Sequence, residues 1–209
     1  MKTISVINIK GGSGKTSAAV PLVVQASQQG SALLVDLDPS PSASRWINAA
    51  ELESDTLKFA ITTQNELQAE LDQAESAGTR WCVIDTPSVM RDTAMSAMLV
   101  AELVLIPMHI GSGDMDNLVE TVKLMNIPLR HRPDLKVRVL LNHTGNMPAV
   151  TRRTREAVEG FGLRVLTAEI PFRSVYAEAK GSAPVGDDYR RVWEELTAVL
   201  EQPGNEVKK

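Results

Sequence analysis

The chain has 209 residues, 43% of them hydrophobic, with 22 Lys and Arg against 26 Asp and Glu and a net charge of −4. That length suits one buried core, and the charge argues against a uniformly basic nucleic-acid binder. The lone Cys82 excludes an internal disulfide. With no run of about eighteen apolar residues and no leader ahead of the first strand, a cytoplasmic protein with no membrane contact is expected.

An apolar stretch, Ile4-Ser5-Val6-Ile7-Asn8-Ile9, leads into Lys10-Gly11-Gly12-Ser13-Gly14-Lys15-Thr16 and then Ser17-Ala18-Ala19-Val20. This order predicts a buried strand, a glycine loop and a helix start. Glycines let backbone N–H groups turn inward around a polyphosphate, and the helix N-terminus adds partial positive charge. Lys10, Gly11, Gly12, Ser13, Gly14, Lys15, Thr16 and Ser17 are thus the candidate nucleotide cradle. Lys15 would reach the β/γ-phosphates, and the Thr16 hydroxyl would ligate Mg²⁺. Against the usual G-x-x-x-x-G-K-[ST] spacing the first glycine is missing, and Lys10 stands one place before Gly11.

Ala18, Ala19, Leu22, Val23 and Ala26 recur at helical spacing, which predicts a helix capped by Gly30 and kinked at Pro21. The second apolar run, Ala32-Leu33-Leu34-Val35, ends in Asp36-Leu37-Asp38-Pro39. Unbroken apolar runs mark parallel strands covered on both faces, and acids at their carboxyl ends lie where open α/β sheets bind ligands. The alternative for Asp36 and Asp38 is turn formation and helix capping. Residues 40–52 read as a helix in which Trp46 either docks on the core, the favoured reading, or serves an interface. Leu57 to Ile61 is a short strand, and Thr62 or Thr63 caps a helix that carries Leu67 and Leu71 and stops at Gly78.

Trp81-Cys82-Val83-Ile84-Asp85-Thr86-Pro87 has the form of a Walker B strand, with Asp85 holding the Mg²⁺ shell and Cys82 a core thiol. Asp92 to Ala101 reads as a helix with Met95, Met98 and Leu99 inward. A strand from Leu103 to Pro107, a loop from His109 to Asp114 and a helix from Met115 to Met125 follow. His109, His131 and His143 lack ligand-like spacing, so loop or core roles are expected. A basic turn, Arg130-His131-Arg132-Pro133, precedes the strand Val137 to Asn142. Residues 147–161 form a helix with Arg152, Arg153 and Arg155 in one turn, and Leu163 to Ile170 a last strand. Tyr189, Val192, Trp193, Leu196, Val199 and Leu200 give an amphipathic final helix. The whole predicts one α/β domain over residues 1–202, a doubly wound and mostly parallel sheet with helices on both faces. Residues 203–209 are expected to be a short flexible tail.

The loop K-G-G-x-G-K-T resembles the deviant Walker A loop of the ParA/MinD ATPases, and Asp36-Leu37-Asp38-Pro39 resembles the element after that family's second strand. The likeness spans nearly the whole chain and is greatest to the short plasmid-partition (ParF-like) subgroup. It implies a P-loop fold, ATP and Mg²⁺ as cofactors, and slow hydrolysis served by Lys10, Lys15 and Asp38. Asp38 would orient the attacking water and Asp36 would support the metal shell beside Thr16 and Asp85. Lys10 would contact nucleotide across an ATP-dependent homodimer. Asn142 is either an adenine neighbour or a turn cap, and Pro171 belongs to the loop that borders the base. Two departures stand out: Ser88 replaces the second proline after Asp85, and Gly111 and Gly113 occupy a loop where proline and serine are usual.

The acidic excess lies in the first 120 residues, whereas the rest carries a basic excess. Such asymmetry hints at a polyanion-facing surface. Arg152, Arg153, Arg155, Arg173 and Lys180 are the candidates for DNA contact without sequence preference. The resemblance therefore implies a nucleoid-associated partition ATPase that segregates or positions a plasmid or chromosome, reset by a ParB-like or other small adaptor protein. Positioning of a protein cargo is one alternative. Another is MinD-like membrane cycling, against which Arg190 and Arg191 are answered by Glu194, Glu195 and Glu201 on the final helix. An iron-sulfur carrier of the same fold would need cysteines beyond Cys82.

Overall fold

The computed structural model describes residues 1–111, 115–145, 147–172 and 186–202. In chain order the first elements are β1 (Lys2–Val6), α1 (Lys15–Ser27), β2 (Ala32–Asp36), α2 (Ser42–Ala49), β3 (Leu57–Ile61), α3 (Leu67–Ser76) and β4 (Trp81–Asp85). Then come α4 (Arg91–Val100), β5 (Leu103–His109), α5 (Met115–His131), β6 (Lys136–Thr144), α6 (Pro148–Gly160), β7 (Ile170–Pro171) and α7 (Asp187–Glu201). Among the described residues seven strands make one sheet in the order β3-β2-β4-β1-β5-β6-β7, and every pairing of them is parallel. Every residue of β2 and β4 is buried, which is why their sequences lack polar alternation.

Successive side chains of a strand leave opposite faces, so each strand feeds two cores. Trp81 and Val83 join α1, α2 and α7 on one face, through Leu22, Ile47, Trp193 and Leu196. Cys82 and Ile84 join Leu71, Met98, Met125 and Val158 on the other. Trp81 and Trp193 meet edge to face at 4.9 Å. The expected place of Cys82 in the core and the docked reading of Trp46 both hold, and the apolar face of the amphipathic α7 packs into the same core as Trp46.

Some expectations change. The helix after the glycine loop runs through Pro21 and closes at Ser27, before Gly30. Gly30 is needed for another reason: at φ 153, a Cβ there would come within 2.9 Å of Arg80 Cδ, and the Arg80 guanidinium donates to the Gln29 carbonyl. Leu99 points outward, because the buried stripe of α4 is Thr93, Ala94, Ala97 and Met98. The expected basic turn is partly helical: α5 passes Pro128 and ends with Arg130 and His131, where cations favour the helix dipole.

The last strand is shorter than Leu163 to Ile170. Only Ile170–Pro171 is strand, with one bridge from Val165 to Val139. Side chains take the backbone groups a strand neighbour would use. Glu195 accepts from the Thr167 and Ala168 amides at 2.9 Å each, and Arg155 donates to the Leu166 carbonyl at 2.8 Å.

Candidate nucleotide site

The carboxyl ends of β1, β2, β4, β5 and β6 surround a cavity of about 720 Å³ whose lining includes Gly12, Lys15, Thr16, Asp38, Ser88 and Asn142. Adjacent parallel strands place the acids there: Asp36 of β2 is in register with Asp85 of β4.

The glycine loop is braced from below. Asn8, which sequence reasoning passes over inside an apolar run, accepts from the Lys10 amide at 2.9 Å and donates to the Pro107 carbonyl at 2.9 Å. Gly14 precedes α1 at φ 92. A Cβ on it would lie 2.6 Å from Asn142 Nδ2, so both the left-handed backbone and the close approach require glycine. Asn142 Nδ2 donates to the Ser13 carbonyl at 3.3 Å, while its buried Oδ1 has no hydrogen-bond partner among the described residues. Asn142 therefore presses on the glycine loop.

Lys15 is 7% exposed. Burial lowers its pKa, and the nearby Asp85 and Asp38 carboxylates oppose that shift. Its ammonium group donates to the Lys10 carbonyl at 3.0 Å and to Ser88 Oγ at 2.8 Å. Thr16 Oγ1 donates to Asp85 Oδ2 at 2.7 Å. Burial pushes Asp85 up to about 7, the Thr16 hydrogen bond opposing and the Asp36 charge reinforcing the shift. Asp85 Oδ1 accepts no hydrogen bond among the described residues.

This donor set fits a hydrated divalent cation. A hydroxyl and a buried, under-satisfied carboxylate are the protein's share, and phosphate and water oxygens would complete the shell, as Mg²⁺ prefers. No group of three His, Cys, Asp or Glu suited to holding a metal occurs among the described residues, so an all-protein cage is not what the site offers.

Asp36 is tied up structurally. Its Oδ1 accepts from the Asp38 amide at 3.1 Å and its Oδ2 from the Ser44 amide at 2.9 Å, which is the turn-and-cap role. Burial raises its pKa despite those bonds. Asp38 Oδ1 accepts from the Ser40 amide at 2.8 Å, and the residue lines the cavity with Lys15 and Thr16.

His109 and His143, expected in loop or core roles, come together in the cavity wall. Their rings stack at 3.9 Å and 17°, Phe172 packs edge-on to His143 at 5.3 Å, and all three line the cavity with Pro171. The register that sets His109 opposite Asn142 creates this stack. Nothing in the local spacing of either histidine signals it.

The candidate DNA contacts separate. Arg152 and Arg153 are exposed on α6, Arg152 lying 3.8 Å from Glu156. Arg155 instead pairs with Glu169 at 2.6 Å, an internal bridge that takes it out of the cluster. Arg173, Lys180, the Ser112–Asp114 part of the loop and the tail from Pro203 lie outside the described residues. Arg190 of α7 pairs with Asp187 and Glu194, and no helix among the described residues is long and apolar enough to cross a membrane.

Residues 4–185 match the family model described as the CobQ/CobB/MinD/ParA nucleotide binding domain. The chain belongs to this family. Within it, the chain is 30% identical over 210 residues to the maintenance of carboxysome distribution protein A of Gloeobacter kilaueensis, covering 93% of this chain and 94% of that one. The protein of the same name from Halothiobacillus neapolitanus is 27% identical over 179 residues, 85% of this chain and 82% of the relative. Among solved structures, the cobyrinic acid a,c-diamide synthase of Mycobacterium smegmatis with bound ATP analog and magnesium superposes with a TM-score of 0.75 at 16% identity, over 94% of each chain. The ParA/MinD resemblance thus holds at family level. Its narrowing to a plasmid-partition subgroup does not, because these near full-length relatives are named for carboxysome distribution.

Proposed function

We propose that this chain is a ParA/MinD-type ATPase that binds ATP with Mg²⁺, hydrolyses it slowly and, with a small adaptor protein, positions a protein cargo along DNA. One observation carries the ATPase reading: the Thr16–Asp85 hydrogen bond of 2.7 Å, with the second Asp85 oxygen unpartnered among the described residues, directly beside buried Lys15. Lys15 holds the β/γ-phosphates, the loop amides from Gly11 to Thr16 cradle them, and Asp38 orients the attacking water. Asp36 acts through the backbone of Asp38 and Ser44 that it fixes. Thr16 and Asp85 would hold the cation, which when bound would supply charge neutralisation to the polyphosphate. Asn142, Pro171 and the histidine stack form the wall on which the base rests.

The near full-length relatives support a protein cargo over a plasmid or chromosome. ATP-dependent dimerisation through Lys10 and non-specific DNA binding through Arg152 and Arg153 belong to the same reading. Nucleotide titration and turnover assays test its core. Lys15→Ala should abolish ATP binding, while Asp38→Ala should bind ATP without turning it over; unchanged turnover in Asp38→Ala removes that residue's role. Deleting the gene should leave replicon inheritance intact and disperse or clump a protein body. Loss of a replicon instead restores DNA segregation as the function.

A further inference from the structure

The segment after β4 lies on the glycine loop. Thr86 Oγ1 donates to the Val6 carbonyl at 2.8 Å, the Val89 amide donates to the Ile9 carbonyl at 3.1 Å, and Ser88 Oγ accepts from Lys15 at 2.8 Å. Val89 has φ 70, a left-handed conformation that is a genuine outlier for a β-branched residue. Val89 is 76% exposed and Met90 45%, so burial does not offset the strain. An observed outlier of this kind beside a binding site is where stored strain is expected to serve a switch.

Lys15 gives two of its three ammonium hydrogens to the Lys10 carbonyl and Ser88 Oγ, so a phosphate pair that takes two of them displaces one of these acceptors. We propose that Ser88 is a positioning residue that holds Lys15 in competition with a polyphosphate, so that nucleotide binding releases the strained Ser88–Met90 segment and its apolar Val89 and Met90 at the cavity edge. This rests on the nucleotide reading of the cavity. Lys15 gains charge-assisted phosphate contacts stronger than its bond to a neutral hydroxyl. Once Ser88 lets go, the bond from the Val89 amide to Ile9 and the bond that the Met90 carbonyl accepts from Ala94 hold the two ends of the segment among the described residues, and the Val89 backbone is left to relax between them. The segment then becomes a nucleotide-dependent surface next to Lys10, whose neighbour Ile9 accepts the Val89 amide. Ser88 thereby accounts for the departure from proline at this position: a proline has no hydroxyl to hold the lysine.

Calorimetric titration with Mg²⁺–ADP and a non-hydrolysable ATP analogue, together with hydrogen exchange at the Val89 amide, tests this on the full chain. Ser88→Ala should tighten both nucleotides about tenfold, the worth of one hydrogen bond to a charged group. It should also speed Val89 exchange before any nucleotide is added. Val89→Asn, which tolerates the left-handed region, should do the opposite on both counts. In the parent chain, nucleotide should speed exchange at Val89 while slowing it in the glycine loop. Equal affinities in the parent and Ser88→Ala, or slower Val89 exchange with nucleotide bound, overturn the latch while leaving the site intact. No nucleotide binding by the parent overturns the site and the latch together.

Discussion

Thr16 and Asp85 stand 69 residues apart and share a 2.7 Å hydrogen bond that joins the first turn of α1 to the carboxyl end of β4. The bond leaves a carboxylate that burial pushes up to about 7, against about 3.9 in an unfolded chain. Between those values the folded chain keeps a proton that the unfolded chain has given up, so stability falls as pH rises from about 4 to about 7 and stays lower above. Asp36, also raised by burial, acts in the same direction. Urea unfolding without Mg²⁺ at pH 5 and pH 7.5 should show the loss, and Asp85→Asn should shrink it. An Asp85→Asn chain with the parent's pH dependence would refute the assignment.

Lys10→Ala should bind ATP and fail to dimerise, because the ammonium group is assigned to phosphate bound mainly by the other copy. Its main-chain part, accepting from Lys15 and bonded to Asn8, survives the substitution. Light scattering with ATP distinguishes the two roles. Normal dimers in Lys10→Ala confine the side chain to its own subunit.

Replacing Arg152 and Arg153 together should weaken DNA binding by the ATP-bound protein and flatten its salt dependence, since a phosphate that no arginine neutralises keeps its counterions and drops out of the slope. Arg155→Ala should behave differently. It strands Glu169 and the Leu166 carbonyl, lowering stability by about 1–3 kcal/mol while leaving the salt slope unchanged. Gel shifts at two salt concentrations and thermal melts separate the cases.

Trp193→Ala should destabilise the chain by about 3–5 kcal/mol, as large-to-small core substitutions of this kind do. Trp193 is 1% exposed and packs on Trp81. A melt within about a degree of the parent, against the several degrees that such a loss implies, would mean that α7 is not part of the folded core.

Strands β2 and β4 are legible in the sequence because a strand covered on both faces must be apolar at every position, and the glycine loop because cradling phosphate restricts its residues so tightly. Pairings between distant segments are not legible. Ser88 reads as a mere substitution until the fold brings Lys15 to it, and three neighbouring arginines read as a patch until Glu169 claims one of them. The expected strand at Leu163 fails for a related reason: beyond the Val165–Val139 bridge to β6, Glu195 takes the Thr167 and Ala168 amides and Arg155 the Leu166 carbonyl. Leu99 differs by a single step around a helix, a rotation that composition does not resolve.

That arrangement around residues 166–168 has a consequence for assembly. A β-sheet margin with unpaired amides is a rail onto which another copy can add a strand. Here Glu195 occupies the Thr167 and Ala168 amides and Arg155 the Leu166 carbonyl, so the rail is closed by the chain's own carboxylate and guanidinium. Strand-by-strand growth at this margin is therefore blocked, leaving β3 as the edge at the other end of the sheet, and Glu195→Ala would open a lane for such growth here.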